Sequence, residues 1–173
     1  MASFSIVVAL SQTNNGIGKN GRLPWKLKKD MQHFRDLTTF CDKEGMQNAV
    51  IMGRKTWESI PKRPLKARRS FVISHTLDNL PADVVQCSSL RDALERARGM
   101  EEIDQIFVIG GERVFVEALK MPGCEKLYVT SIFKDMECDV FFPAIDASTF
   151  KLVAECEGEE DGLEFCFQQF NHV

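Results

Sequence analysis

The sequence predicts an α/β protein with one domain, an eight-stranded and mostly parallel sheet, an antiparallel C-terminal hairpin and about four helices. Short apolar runs rich in β-branched residues recur along the chain, and segments with helical spacing lie between the early runs. Those early runs are apolar at nearly every position, which is typical of central strands covered on both faces. Strands that alternate with helices favour parallel pairing through right-handed crossovers.

Turn residues separate the predicted strands. The strands are, in chain order, FSIVVAL, NAVIM, SFVIS, DVVQC, QIFVIG, KLYVTSIF, FKLVAE and LEFCFQQF. Helices fit the gaps at residues 27–40, 54–59, 89–98 and 112–119. The third helix has the clearest ends, because Ser89 and Asp92 resemble a capping box and Gly99 follows the last turn. Only the acidic turn EGEEDG separates the last two strands, which predicts a hairpin.

Length and composition are those of a globular domain covering residues 1–173. The chain is 44% hydrophobic and 27% charged with a net charge of −3, unlike a disordered or coiled-coil protein. Its longest apolar run, IVVAL, is far shorter than the roughly 20 residues that span a membrane. We expect a cytoplasmic monomer without a secretion signal. The six cysteines form no CxxC pair, so we expect free thiols and no metal site.

Asp30 is out of place in the helix predicted at residues 27–40. On a helical wheel of about 100° per residue, an apolar stripe is formed by Leu27, Met31, Phe34 and Leu37. Asp30 falls inside that stripe. The helix dipole favours an acid in the first turn, which explains the position along the chain but not the face. A buried carboxylate needs a hydroxyl partner or a ligand that donates to it, so a ligand with a cationic or amidine-like edge would fit.

Three predicted strands end in residues suited to anions. NAVIM runs into GRKT at residues 53–56, SFVI into SHT at 74–76, and QIFVI into GG at 110–111. Cations, hydroxyls and free backbone N–H groups therefore follow each strand. Because a parallel sheet binds ligands beyond the carboxyl ends of its strands, we expect the three segments to converge on one polyphosphate. Their common placement favours a dinucleotide over a single phosphate.

The segment GIGKNG, residues 16–21, matches a GxGxxG dinucleotide pattern but fails its structural requirement. The glycines of that pattern open a helix, whereas Pro24 ends any helix begun at Ile17. We interpret TNNGIGKNGRLPW as a long loop without secondary structure that acts as a lid over a site.

At these residues the sequence resembles the dihydrofolate reductase family over nearly the whole chain. The matching segments, in family order, are VVALSQ, NGIGKNGRLPW, Asp30 with Phe34, VIMGRKTWESIP, PLKARRS, FVISH, VIGGERVF, YVTSI and CDVFFP. The resemblance implies reduction of 7,8-dihydrofolate to tetrahydrofolate with NADPH as cofactor. It also implies inhibition by antifolates and no need for a nucleic acid.

The resemblance implies the substrate site residue by residue. Asp30 would hold the pterin amino group and promote protonation of the imine nitrogen, with Thr130 bonded to its carboxylate. Arg68 would pair with the α-carboxylate of the folate glutamate, a bidentate role that suits arginine better than lysine. The other substrate-binding residues implied are Val7, Val8, Met31, Phe34, Arg35, Ile60, Leu65 and Ile109.

Cofactor contacts follow from the same resemblance. The residues implied are Ala9, Ile17, Gly18, Gly21, Leu23, Gly53, Arg54, Lys55, Thr56, Ser74, His75, Thr76, Gly110, Gly111, Glu112, Arg113 and Val114. Asp139 would brace the backbone of the lid. His75 stands where family members often carry arginine, so the preference for NADPH over NADH would rest more on Arg54 and on the hydroxyls of Ser74 and Thr76.

Parts of the sequence also suggest other functions. A reductase of the same fold that acts on a pyrimidine intermediate of riboflavin synthesis is disfavoured by LPW followed by Asp30. An RNA-binding module could use the basic segment 55–69, but aromatic residues do not alternate with its cations as a stacking surface requires.

Overall fold

Ten strands and four helices follow one another along residues 3–173, the part of the chain that the computed structural model describes. They are β1 (Phe4–Ser11), β2 (Gly16–Gly18), α1 (Lys28–Thr39), β3 (Gln47–Gly53), α2 (Arg54–Ser59), β4 (Arg68–Ile73), β5 (Val85–Cys87), α3 (Leu90–Arg98), β6 (Ile103–Gly110), α4 (Glu112–Lys120), β7 (Cys124–Ile132), β8 (Val140–Phe141), β9 (Phe150–Glu160) and β10 (Leu163–His172). The helices match the predicted bounds to within one residue at each end.

Eight of these strands form one sheet in the order β5-β4-β3-β6-β1-β7-β10-β9. Pairing is parallel from β5 through β7, while β10 is antiparallel to both β7 and β9. The predicted eight-stranded, mostly parallel sheet with a C-terminal hairpin is therefore confirmed. Strands β2 and β8 form a separate two-stranded sheet.

Helices cover both faces of the sheet, and alternate residues of each strand face opposite sides. One face packs against α3 and α4 and contains Ile6, Ile51 and Val108. The other face packs against α1 and α2 and contains Val50 and Phe107. This double cover explains why β3 is buried at five successive positions and why the early strands are apolar throughout.

The segment predicted to be a structureless loop contains the short strand β2, so that prediction is wrong in part. Gly16 pairs with Phe141 of β8, and Gly18 pairs with Val140. The side chain of Cys138 packs directly against Gly16, an approach that any larger residue there would block. Local spacing could not predict β2, because its partner lies more than a hundred residues further along the chain.

Two further observations concern the state of the cysteines and the length of the helices. All six cysteines, at positions 41, 87, 124, 138, 156 and 166, carry free thiols. Within residues 3–173, none of the helices is long and apolar enough to cross a membrane.

Candidate active site

The three strand ends singled out in the sequence lie next to one another. Strands β4, β3 and β6 are neighbours in the sheet, with Gly53 opposite Ile73 and Met52 opposite Gly110. β3 continues directly into α2 at Arg54, and β6 leads through a Gly-Gly pair into α4. The predicted convergence at one edge of the sheet is therefore confirmed in its geometry.

Gly110 and Gly111 lie close to the hydroxyl of Thr56, with room there for bare backbone but not for a side chain; this place is called the glycine gap below. A Cβ atom would lie 3.2 Å from Thr56 Oγ1 at Gly110 and 3.4 Å from it at Gly111. Gly110 also has a φ of +134°, which disfavours any other residue. The amides that open α4 have no partners within that helix, and they follow directly on this gap. Bare backbone, a hydroxyl and a helix N-terminus fit a phosphate group.

A polar cluster of Arg54 and residues 74–76 joins the ends of β3 and β4. Arg54 Nη1 donates to Thr76 Oγ1 at 2.6 Å. Ser74 Oγ accepts from the backbone N–H groups of Thr76 and Leu77, both at 3.2 Å. His75 is exposed beside them. One guanidinium, two hydroxyls and an imidazole thus face the same surface, where a phosphate can be held without deep burial.

A cavity of about 460 Å³ opens next to this cluster. Its lining residues are Ser74, His75, Gln86, Cys87, Ser88, Asp92 and Arg96. Sequence reasoning missed Arg96, whose Nη1 donates to the carbonyl of Gln86 at 2.6 Å. The signal was weak, because arginine on the exposed face of an amphipathic helix usually has no ligand.

The Asp30 carboxyl lies against the sheet, as its place in the apolar stripe predicted. Thr130 of β7 is buried and donates from Oγ1 to Asp30 Oδ1 at 2.8 Å. Burial raises the pKa of Asp30, while the hydrogen bond from Thr130 and the charge of His33 act in the opposite direction. The hydrogen bonds formed within residues 3–173 leave Oδ2 without a donor, so this oxygen is open to a ligand.

An apolar wall flanks Asp30 on the same face of the sheet. It consists of Val7, Phe34, Ile60, Leu65 and Ile109, which pack in one cluster with Trp57. Val8 lies on the opposite face, packed with Ile6, so the structure corrects the expectation that its side chain joins this wall. Alternation along β1 is the reason. Met31 is 62% exposed, so it is at the rim and contributes nothing to the core that the stripe implied.

Two arginines lie near each other at the far side of this wall. Arg68 is buried; its Nε donates to the carbonyl of Lys66 at 2.9 Å and its Nη1 to Thr38 Oγ1 at 3.1 Å. Burial lowers the pKa of Arg68, and the charge of Arg35 lowers it further. None of the ion pairs formed among residues 3–173 includes Arg68. A buried guanidinium beside a second cation fits an anionic ligand.

The lid is fastened to the segment that leads into β8. Asp139 Oδ2 accepts from the backbone N–H of Asn20, and the backbone N–H of Asp139 donates to the carbonyl of Gly18, both at 2.9 Å. The predicted brace by Asp139 is therefore present. Within the lid, Ile17 is half-buried, whereas Gly21 and Leu23 are exposed.

Two side chains have surroundings that the sequence did not indicate. The carboxylate of Glu112 accepts from the backbone N–H of Phe141, so it holds β8 and leaves only its backbone to face the gap at Gly111. Trp25 is buried in a small cluster with Leu27, and its Nε1 finds no acceptor among residues 3–173. A buried indole N–H is usually paired, so this donor is available to a ligand or water.

The remaining implied cofactor residues surround the glycine gap and the sheet edge. Ala9 is half-buried at the carboxyl end of β1. Val114 lies 3.4 Å from where a Cβ of Gly53 would be, which brings the starts of α2 and α4 together. Lys55 and Arg113 are exposed in the first turns of those helices.

Comparison with known proteins agrees with this arrangement. The family model described as dihydrofolate reductase matches residues 3–172. The chain is 44% identical to a dihydrofolate reductase of Sus scrofa and 43% identical to one of Rattus norvegicus, each over 96% of this chain and 96% of the relative. It is 40% identical to a bifunctional dihydrofolate reductase-thymidylate synthase of Daucus carota, over 99% of this chain and 34% of that protein. The chain belongs to the dihydrofolate reductase family.

Proposed function

We propose that this protein reduces 7,8-dihydrofolate to tetrahydrofolate with NADPH as the hydride donor, and that Asp30 promotes protonation of the pterin. Its family makes it an oxidoreductase that acts on dihydrofolate with a nicotinamide cofactor. One observation carries the residue-level proposal: Thr130 holds the Asp30 carboxyl at 2.8 Å beside an apolar wall, with one oxygen open.

The substrate pocket supports this proposal because the Asp30 carboxylate can pair with the N–H donors of a pterin. A carboxylate presents two acceptor oxygens, which match the paired N–H donors of a pterin's amino group and ring nitrogen. Phe34 and Ile109 lie on the same face of the sheet and would pack against the flat ring. The negatively charged glutamate tail would then extend to Arg68 and Arg35.

The cofactor site supports NADPH through its separate anion-binding groups. The nicotinamide supplies the hydride when the cofactor is bound. Thr56 and the backbone at Gly110–Gly111 would hold the pyrophosphate, since these glycines bring bare backbone next to the Thr56 hydroxyl at the start of α4. The cluster of Arg54 with residues 74–76 would hold the additional ribose phosphate.

The protein's own part in the chemistry is to orient the ring, exclude water and supply a proton-binding group. Because burial raises the pKa of Asp30, the carboxyl keeps its proton to a higher pH than an exposed aspartate does. The lid, fastened through Asp139, would shield the site from solvent. We expect activity to decline as pH rises through the coupled titration of Asp30 and the substrate.

The test is the loss of NADPH absorbance with dihydrofolate, comparing the wild type with Asp30→Asn. The variant is expected to bind NADPH normally but to turn over at least about 100-fold more slowly at neutral pH. Activity should recover in part at acidic pH, where the substrate arrives protonated. Asp36→Asn, an exposed change in the same helix, is the control and should keep wild-type activity. Wild-type turnover by Asp30→Asn at neutral pH would refute the assigned role.

A further inference from the structure

Helix α1 begins without a capping side chain of its own. Apolar Leu27 occupies the N-cap position. Lys28 and Lys29 then place two positive charges at the positive end of the helix dipole, which is unfavourable. Asp30 follows as the third residue of this helix. The residues next to this start therefore offer its free amides no acceptor, although the position of Asp30 depends on where the helix begins.

Glu160, at the end of β9, supplies the missing cap. Its Oε2 accepts from the backbone N–H of Lys28 and its Oε1 from that of Lys29, both at 2.8 Å. Lys29 Nζ also donates to the carbonyl of Glu159 at 2.7 Å. The two backbone hydrogen bonds lower the pKa of Glu160, so the carboxylate remains ionised at neutral pH. One anion thus satisfies two free amides and offsets the lysine charges.

The same hairpin contacts α1 again on the other side of Asp30. The ring of His33 stacks on Phe167 of β10, with centroids 3.9 Å apart and planes 18° from parallel. Phe167 pairs in register with Thr130 of β7, the residue that donates to Asp30. The helix turn that carries Asp30 is therefore held from the hairpin both before and after this residue.

We propose that Glu160 is a positioning residue for Asp30, fixing where α1 begins and so keeping the carboxyl in register with Thr130. The proposal rests on the catalytic role proposed for Asp30. Without the cap, the first turn frays, and each residue lost from the helix releases a rise of about 1.5 Å and a rotation of about 100°. Because Asp30 lies within that turn, its carboxylate would leave the geometry that the pterin requires.

The test compares Glu160→Ala and Glu160→Gln with a matched loss of a helix cap elsewhere. Ser89→Ala is the control, because Ser89 Oγ accepts from the backbone N–H of Asp92 at 3.0 Å and caps α3 on the other face of the sheet. For Glu160→Ala we expect hydride transfer at saturating ligands to slow about ten-fold. The Kd for dihydrofolate should rise, while that for NADPH should stay within about two-fold of the wild type. Glu160→Gln keeps one acceptor oxygen, so its hydride-transfer rate and its Kd for dihydrofolate should lie between those of the wild type and Glu160→Ala.

Amide hydrogen exchange supplies a readout independent of turnover. Glu160→Ala should lose protection at the start of α1 only, whereas Ser89→Ala should lower stability and leave hydride transfer unchanged. Wild-type hydride transfer by Glu160→Ala, or equal losses for both ligands, would overturn the positioning role. Asp30→Asn is measured in parallel: if it keeps full turnover, the proposed function fails, whereas a slow Asp30→Asn with a fast Glu160→Ala rejects only the role of Glu160.

Discussion

Replacing Arg68 by lysine is expected to weaken dihydrofolate binding and to leave NADPH binding unchanged. The guanidinium is fixed in its plane by the carbonyl of Lys66 at 2.9 Å and by Thr38 Oγ1 at 3.1 Å. Its remaining N–H groups are then oriented to grip a carboxylate with two parallel hydrogen bonds. A lysine ammonium is a point charge without this fork, so it loses one charge-assisted bond.

The expected loss is about 1.5–3 kcal/mol for one hydrogen bond to a charged group. This corresponds to a rise of about 10- to 150-fold in the Kd for dihydrofolate. Fluorescence titration of the binary complexes measures it directly. The control Arg69→Lys should have little effect on the Kd for dihydrofolate. The Arg69 side chain faces the other side of the sheet from Arg68, and its Nη1 lies 3.8 Å from Glu102 Oε1.

A substrate truncated before its glutamate tail separates this explanation from a general loss of structure. The wild type and Arg68→Lys should bind the truncated pteridine equally, since neither has a carboxylate to grip. If the variant loses the same factor with the truncated substrate as with dihydrofolate, or loses NADPH affinity in parallel, then Arg68 does not act on the tail and the reasoning is refuted.

Three further predictions concern other parts of the site. In the ligand-free protein, Asp30→Asn should raise the free energy of unfolding at neutral pH, because burial raises the folded-state pKa of Asp30. The stability that the Asp30 carboxyl contributes is complete below its ordinary pKa of 3.8 and is lost as pH rises through the raised pKa. Urea unfolding at several pH values checks this, and a gain that does not shrink towards acidic pH would contradict it. Gly110→Ala should cost about 1–3 kcal/mol of stability and weaken NADPH binding, because the alanine would have to adopt a φ of +134° and its Cβ would lie 3.2 Å from Thr56 Oγ1. The control is Gly45→Ala, where φ is +78° but the space around the residue is open; it should lower stability without affecting cofactor binding. Asp139→Ala should slow hydride transfer about five-fold, the equivalent of one net hydrogen bond of about 1 kcal/mol. It should also speed hydrogen exchange of the Asn20 amide, which donates to Asp139; unchanged exchange at Asn20 would exclude a brace.

Local sequence patterns predicted much of this fold, because the interactions behind them join residues that are close together in the chain. The capping pair at Ser89 and Asp92 placed the start of α3 correctly, and the hydrogen bond between Ser89 Oγ and the backbone N–H of Asp92 is present at 3.0 Å. Parallel topology then brings the carboxyl ends of neighbouring strands together. Helical spacing and the cost of burying a carboxylate also predicted that Asp30 faces the apolar side of α1 and needs a hydroxyl partner or a ligand. The bond with Thr130 was implied only by the family resemblance, and it is present at 2.8 Å.

The remaining features depend on contacts between distant parts of the chain. The cap from Glu160 joins residues 132 positions apart, and the pairing of β2 with β8 spans a similar distance. Neither has a local signal. Val8 is different: strict alternation along β1 would have assigned it to the face opposite Val7, so this error was avoidable. Met31 is 62% exposed and so is not part of the core. A stripe on a helical wheel does not show how far along α1 the contact with the sheet extends.

The sheet order has a consequence for the way the protein is made. The six strands from β5 to β7 in the sheet come from residues 4–132, whereas β10 and β9, which support Thr130 and the beginning of α1, come from residues 150–172. A nascent chain therefore contains every residue of the glycine gap before the hairpin that caps α1 has been synthesised. The hairpin that supports the start of α1 is thus translated after all four helices and the whole parallel part of the sheet.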